Sequence, residues 1–307
     1  MRLPLIDADE LARLLPMPAA IEALERAFAE PELPEAPQRA RVDVPAGELL
    51  LMPAAGRPGV GVKLVTVAPG NPARALPFVQ AAYVLFDPDT LSPEAVLDGT
   101  ALTTLRTAAV SGVATRRLAR PDASRLVVFG AGATATAHLD AMVAVRPIAS
   151  LRVVSRSPGP AEELAARGRK LGLEAAVAEP GAVAEADVVC TCTTSERPVF
   201  DGTLLPPGVH VNAIGAYRPD MRELDDEAVV RARVVVETRE AAMAEAGDLL
   251  IPMRAGRVGP EHVVAELADV VRGATVRRGA EDITVFKSVG VAPEDLAVAR
   301  AALDARG

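Results

Sequence analysis

Apolar residues recur at three- and four-residue intervals over residues 19–29, which predicts an amphipathic helix. The Pro/Glu-rich stretch 31–37 reads as the loop after it. Runs rich in apolar and β-branched residues follow at 41–44, 48–52, 60–67 and 78–86, separated by Gly, Pro and Asn as in Pro69-Gly70-Asn71-Pro72. Strands in series without intervening helices predict an antiparallel or mixed sheet. A long helical pattern covers 101–118 and ends before Pro121-Asp122. The rhythm then changes: apolar runs at 126–129, 151–154, 188–191, 209–213 and 234–237 alternate with helical stretches, the first two ending near Met142 and Leu171. That alternation predicts a doubly wound parallel sheet. The fold class is therefore α/β, a Rossmann-type sheet from 123 to 290 plus a smaller α+β domain from 1 to 122. A helix over 293–305 suggests that 291–307 rejoins the smaller domain. There is no internal repeat.

Half of the 307 residues are apolar but only 3% are aromatic, so the core must be built from Ala, Val and Leu. A net charge of -8 argues against nucleic acid, which needs a clustered basic surface. The acidic run 223–227 reads as a solvated helix face. Cys190 and Cys192 fall in an apolar run and read as buried thiols, with no metal site expected. No leader-like segment and no apolar run near a membrane span of about 20 residues is present, so a cytoplasmic protein away from membranes is expected. Of the 33 basic residues only Lys63, Lys170 and Lys287 are lysines. Where arginine is the default cation, a lysine in an apolar strand suggests a compact, titratable charge. Lys63 and Lys287 have that setting, whereas Lys170 closes a helix and reads as surface.

The segment Val127-Val128-Phe129-Gly130-Ala131-Gly132-Ala133-Thr134-Ala135 follows an apolar strand and opens a helix. Gly130 allows the tight turn, Gly132 lets the backbone approach a pyrophosphate, and small Ala135 lets the helix pack closely. The helix start at Ala133 offers amide groups to phosphate. About 20 residues further on, where an acid would select NAD, the chain has Ser155-Arg156-Ser157. Arg156 can meet a 2′-phosphate, so NADP(H) is expected over NAD(H), with NAD(H) still possible.

A hydride carrier needs an acceptor beside it, and Arg39, Lys63 and Arg106 are the candidate catalytic and positioning groups. Arg106 sits in an otherwise small and apolar helix, where an unpaired charge is costly. With no acid nearby in sequence, an anionic ligand and a structural salt bridge are equally good partners.

The chain resembles the ornithine cyclodeaminase/mu-crystallin family over nearly its whole length. The resemblance rests on Val62-Lys63-Leu64-Val65-Thr66, Leu85-Phe86-Asp87, Leu97-Asp98-Gly99, the helix from Leu102 to Ser111 and the phosphate loop. It continues in His210-Val211-Asn212-Ala213-Ile214-Gly215-Ala216, Arg218-Pro219-Asp220-Met221-Arg222-Glu223-Leu224-Asp225 and Thr284-Val285-Phe286-Lys287-Ser288-Val289-Gly290. It implies a homodimer formed through the first domain, with the active site in the cleft between domains. By position, Arg39, Lys63 and Arg106 match the family's substrate-carboxylate cluster, although Arg41 competes with Arg39. Thr193, Thr194, Asn212, Ser288 and Gly290 match segments that line the nicotinamide and its ribose.

One departure bears on the activity. Cyclodeaminases place an aspartate after the Ala-Ile-Gly-Ala run, and here that position is Tyr217, a poor general base at neutral pH. The segment that follows is similar to the family's mu-crystallin branch, which reduces cyclic ketimines with NADPH. The expected substrate is a small carboxylate-bearing imine, Δ1-pyrroline-2-carboxylate or Δ1-piperideine-2-carboxylate. The alternatives are a cyclodeaminase or alanine-dehydrogenase-like activity on an amino acid, and a cofactor-bound protein that binds without turnover. His138, His210 and His262 read as structural or surface residues.

Overall fold

The computed structural model describes residues 3–307. Contacts divide the chain into two compact units, one reaching Val110 and taking up Val291–Gly307, the other Ser111–Gly290.

The first unit begins with β1 (Leu5–Ile6), α1 (Ala8–Leu14) and α2 (Met17–Ala29). Asp7 caps α1 by accepting from the Glu10 amide, and Pro18 starts α2 where a missing N–H costs nothing. The apolar spacing read from sequence buries Ile21, Leu24 and Phe28 on one face of α2. Then come β2 (Ala40–Val44), β3 (Gly47–Gly56), β4 (Gly59–Val67), β5 (Val79–Phe86), β6 (Pro93–Asp98) and the start of α3 (Gly99–Leu118). The sheet order is β1-β6-β5-β4-β3-β2, antiparallel except for β1 beside β6. The short strand β6 starts at a proline and ends in Asp98, so its apolar run is too brief to read.

In the second unit β7 (Arg125–Phe129), α4 (Ala133–Val145), β8 (Ser150–Val154), α5 (Pro158–Lys170), β9 (Glu174–Val177), β10 (Val188–Thr191) and β11 (His210–Ala213) follow in order. After them come α6 (Asp226–Val230), β12 (Ala232–Val236), α7 (Arg239–Glu245), α8 (Gly247–Arg254), β13 (Val263–Glu266), α9 (Leu267–Val271) and β14 (Ile283–Lys287). All eight strands are parallel, ordered β13-β12-β14-β11-β10-β7-β8-β9. The last strand is inserted between β11 and β12, so the strand-like setting of Lys287 is an interior strand. The chain ends in α10 (Ala292–Arg306), which packs on α2 and on β4 of the first unit. No helix of the described residues is long and apolar enough to cross a membrane.

Within the second unit, Arg146 closes the C-terminal end of α3 by donating to the carbonyls of Thr115, Arg116, Ala119 and Arg120. Two histidines lie wholly inside. His138 donates from Nδ1 to the Thr134 carbonyl at 2.7 Å, so its Nε2 accepts from the Ser111 hydroxyl at 2.9 Å. His210 bonds Thr284 and Asn212. Burial pushes their pKa values down to about 4 and about 3, the latter helped by Arg277. Both are therefore neutral in the folded protein at pH 7 and protonate more easily once unfolded. Their stabilisation is complete above about pH 6.5 and is lost as pH falls toward 4, by about 1.4 kcal/mol per histidine for each pH unit. Thermal unfolding should therefore shift to lower temperature between pH 7 and pH 5; an unchanged midpoint would contradict this account.

Candidate active site

In the first unit a charged cluster lies beneath the sheet. The alternation of β4 buries Lys63 on the same face as Gly61 and Val65, leaving it 1% exposed. The antiparallel register sets Lys63 opposite Tyr83, and a Cβ on Gly61 would meet the Tyr83 hydroxyl at 2.1 Å. Lys63 Nζ donates to both oxygens of Asp295, at 2.8 and 2.7 Å. Arg106 on α3 donates through Nη1 to Glu294 at 2.7 Å and through Nε to Asp295 at 3.1 Å. Both acids come from the first turn of α10, where carboxylates also suit the helix dipole.

The two partners left open by the sequence are thus separated. Carboxylates more than 180 residues away pair with Lys63 and Arg106 inside the protein. The absence of a neighbouring acid in sequence did not mean absence in space. Burial, with help from Arg106 and Arg39 and against the opposing pull of Asp295, lowers the Lys63 pKa to about 8. Arg39 is half-buried just before β2 and close enough to act on Lys63. Arg41, by contrast, pairs with Glu48 at 3.1 Å. The Tyr83 hydroxyl is buried without a hydrogen-bond partner among the described residues, and burial followed by Asp295 drives its pKa far up.

In the second unit the loops after β7, β8, β10, β11 and β14 gather at the carboxyl ends of the strands, where parallel sheets bind ligands. Gly130 has φ +100°, and a Cβ there would sit 2.7 Å from the Cys192 carbonyl, so glycine is required. Gly132 is the N-cap of α4, exposed, with open space beside its Cα and no side chain capping the helix. Ala133 is exposed, and Ala135 is buried where the helix meets the sheet. The uncapped amides of this first turn therefore fit a phosphate group. Ser155 is half-buried after β8, while Arg156 and Ser157 are exposed. Thr193 is half-buried and Thr194 exposed after β10.

Asn212 and Ser288 differ from these. Asn212 is buried and donates to Thr115 at 2.8 Å, and Ser288 donates to Glu237 at 2.5 Å. Glu237 also accepts from the amides of Val289 and Gly290. Cys190 and Cys192 are free, and burial pushes Cys190 up to about 12.

The run 223–227 is not a solvated face. Glu223 is fully buried and accepts from the Thr191 hydroxyl, the Thr193 amide and hydroxyl, and the Gly215 amide, all within 2.6–2.7 Å. Asp225 caps α6, Asp226 pairs with Arg222, and Glu227 pairs with Arg257. Asp248 accepts from the amides of Glu223 and Leu224 and pairs with Lys287 at 2.9 Å. Lys287 in turn donates to the carbonyls of Ala213 and Ala216. Glu223, Asp248, Lys287 and Glu237 thus hold the loops after β10, β11 and β14. Sequence reading missed the roles of Glu223, Asp248 and Glu237, because an acid that accepts from buried donors looks the same in sequence as one that faces water. A signal existed at Gly215, where a Cβ would lie 1.8 Å from the Thr193 carbonyl.

The model of the ornithine cyclodeaminase/mu-crystallin family matches residues 5–305. A Δ1-pyrroline-2-carboxylate reductase of Paracoccus denitrificans is 40% identical over 245 residues, covering 78% of each chain. The mouse (Mus musculus) ketimine reductase mu-crystallin is 39% identical over 261 residues, 84% of this chain and 80% of that one. The structure of Thermococcus litoralis Δ1-pyrroline-2-carboxylate reductase in complex with NADH and L-proline superimposes with a TM-score of 0.95 at 36% identity, covering 99% of this chain and 97% of that one. The chain described here belongs to the ornithine cyclodeaminase/mu-crystallin family.

Proposed function

We propose that this chain is a nicotinamide-dependent reductase of a cyclic ketimine carboxylate, Δ1-pyrroline-2-carboxylate or Δ1-piperideine-2-carboxylate, which it converts to the cyclic amino acid. The observation that carries the reading is a buried lysine, tuned to about pKa 8, set beside Arg106 in a first-unit cluster. The reductases described above, one of them holding NADH and L-proline, support it.

Reduction of a ring C=N adds a hydride to carbon and a proton to nitrogen. When bound, the reduced nicotinamide supplies the hydride. The chain supplies the charge and the proton. Lys63 and Arg106 face two carboxylates, and Arg39 adds a third positive charge. The surplus suits one substrate carboxylate, bound by Arg39 and Arg106 as a fork-shaped donor binds a carboxylate. Lys63, held charged by Asp295, donates the proton to the ring nitrogen. We assign dinucleotide binding to Gly130, Gly132, Ala133, Ala135, Ser155, Arg156, Ser157, Thr193 and Thr194. Asn212, anchored on Thr115, and Ser288 and Gly290, anchored on Glu237, we assign to the nicotinamide end of the cofactor site. In this reading the first unit carries the substrate groups and the second the cofactor.

The cofactor inferred is NADPH in preference to NADH, because no acid stands in the Ser155-Arg156-Ser157 turn. Removing the Arg156 charge should raise KM for NADPH about 10- to 100-fold and leave KM for NADH nearly unchanged. Steady-state kinetics of Arg156→Ala with both cofactors checks this, and an equal loss for the two would refute it. We also infer a homodimer through the first unit. Its edge strand β2 is exposed along its length, with Val42 and Val44 open to solvent, and an edge of this kind favours pairing. Free thiols fit a reducing, cytoplasmic compartment.

A substrate panel tests the activity. Both imines with NADPH, pyruvate with ammonia or methylamine, and ornithine with NAD distinguish the possible reactions. Oxidation of NADPH by an imine, with no ammonia released from ornithine, is expected, since Tyr217 stands where a cyclodeaminase aspartate would be. Ammonia and proline from ornithine would overturn the reading.

A further inference from the structure

An open cavity of about 560 Å³ lies at the far edge of the second unit's sheet, beside β13. Val263, Val264 and Ala265 of β13 line it together with Arg233, Arg239, Arg278, Thr275 and a single acid, Glu261. The volume falls within the range of small-molecule sites. None of the three arginines forms an ion pair among the described residues, whereas Arg152, Arg167, Arg169 and Arg257 on the same unit all meet carboxylates. Arg233 is half-buried and its Nε donates to the Val276 carbonyl at 2.6 Å, which fixes the plane of its guanidinium. Asp282, the acid whose field reaches Arg233, is held by the amides of Arg278 and Gly279.

We propose that this cavity is a binding site for a small polyvalent anion, a molecule carrying two or more phosphoryl or carboxylate groups. The lining itself carries three forked donors against one acid, while Asp282 and Glu266 just outside it are engaged by the backbone amides of Arg278, Gly279 and Arg239. Such a concave basic surface concentrates anions and binds them through paired N–H donors. Five strand spacings separate β13 from β7, so the cavity is about 24 Å from the phosphate loop across the sheet. A ligand here would be additional to the dinucleotide.

Titration calorimetry of the full chain with pyrophosphate and, separately, citrate tests the site. Wild type and Arg239→Ala/Arg278→Ala are compared, with NADPH binding as the control for an intact fold. Both arginines are exposed, so their removal should leave the core and the affinity for NADPH unchanged. The proposal expects at least one anion to bind and its affinity to fall at least about tenfold in the double variant. Pyrophosphate alone would identify phosphoryl chemistry and citrate alone polycarboxylate chemistry. Binding of neither anion overturns the proposal. So does equal binding to both proteins, because pyrophosphate would then be held by the phosphate loop.

Discussion

Lys63→Met is expected to lower turnover of the cyclic ketimine by about 10²- to 10⁴-fold while leaving NADPH affinity near that of wild type. Methionine fills a similar volume, so the variant removes the charge and the proton without opening a large cavity. Asp295 keeps its bond from Arg106, which limits the cost of an uncompensated buried carboxylate. The same assignment fixes a pH dependence. Lys63 must be charged to donate, and burial sets its pKa at about 8, so turnover should fall as pH rises through that value. In Asp295→Asn the group that opposes the lowering is gone, and the fall should move to lower pH. A role limited to structure would change stability but not the position of the fall. Near-normal turnover of Lys63→Met would remove Lys63 from the mechanism.

The second large effect is expected at Glu223. Its carboxylate collects four donors, one from the end of β10 and three from the loops after β10 and β11. Burial, and then Asp248, push its pKa up, whereas Lys287 and the two threonines hold it down. Glu223→Ala strands those donors and leaves Lys287 with less opposing charge. The expected cost is about 3–5 kcal/mol of unfolding free energy, read from denaturant titration. NADPH affinity should also weaken, because Thr193 loses both bonds that place it. A loss below about 1 kcal/mol would mean that the loops are held by packing and not by this carboxylate.

The parts of this protein legible in its sequence share a physical basis. The glycine-rich turn after β7 is legible because Gly130, at φ +100°, obeys a local backbone rule that does not depend on the rest of the fold. The strands β7 and β10 are legible because interior parallel strands are largely apolar on both faces. Lys63 and Arg106 were found because a charge is conspicuous against a small apolar background. Their partners were not, because Glu294 and Asp295 look like ordinary first-turn helix acids until α10 folds back onto β4. Glu223 and Glu237 were missed for a related reason: a carboxylate bound by backbone amides leaves no pattern in its own neighbours. The insertion of β14 between β11 and β12 likewise depends on long-range pairing. The boundary set at residue 122 followed the end of the α3 pattern, whereas the contacts divide the chain between Val110 and Ser111, within that helix.

The most direct measurement of the central claim is the oxidation of NADPH by wild-type protein in the presence of Δ1-pyrroline-2-carboxylate, with proline quantified in the same reaction. The account predicts rapid loss of reduced nicotinamide, one proline formed for each NADPH consumed, and a rate that declines above about pH 8. No oxidation with this imine, nor with its six-membered homologue, would contradict it and leave the buried Lys63–Asp295 pair as a structural ion pair.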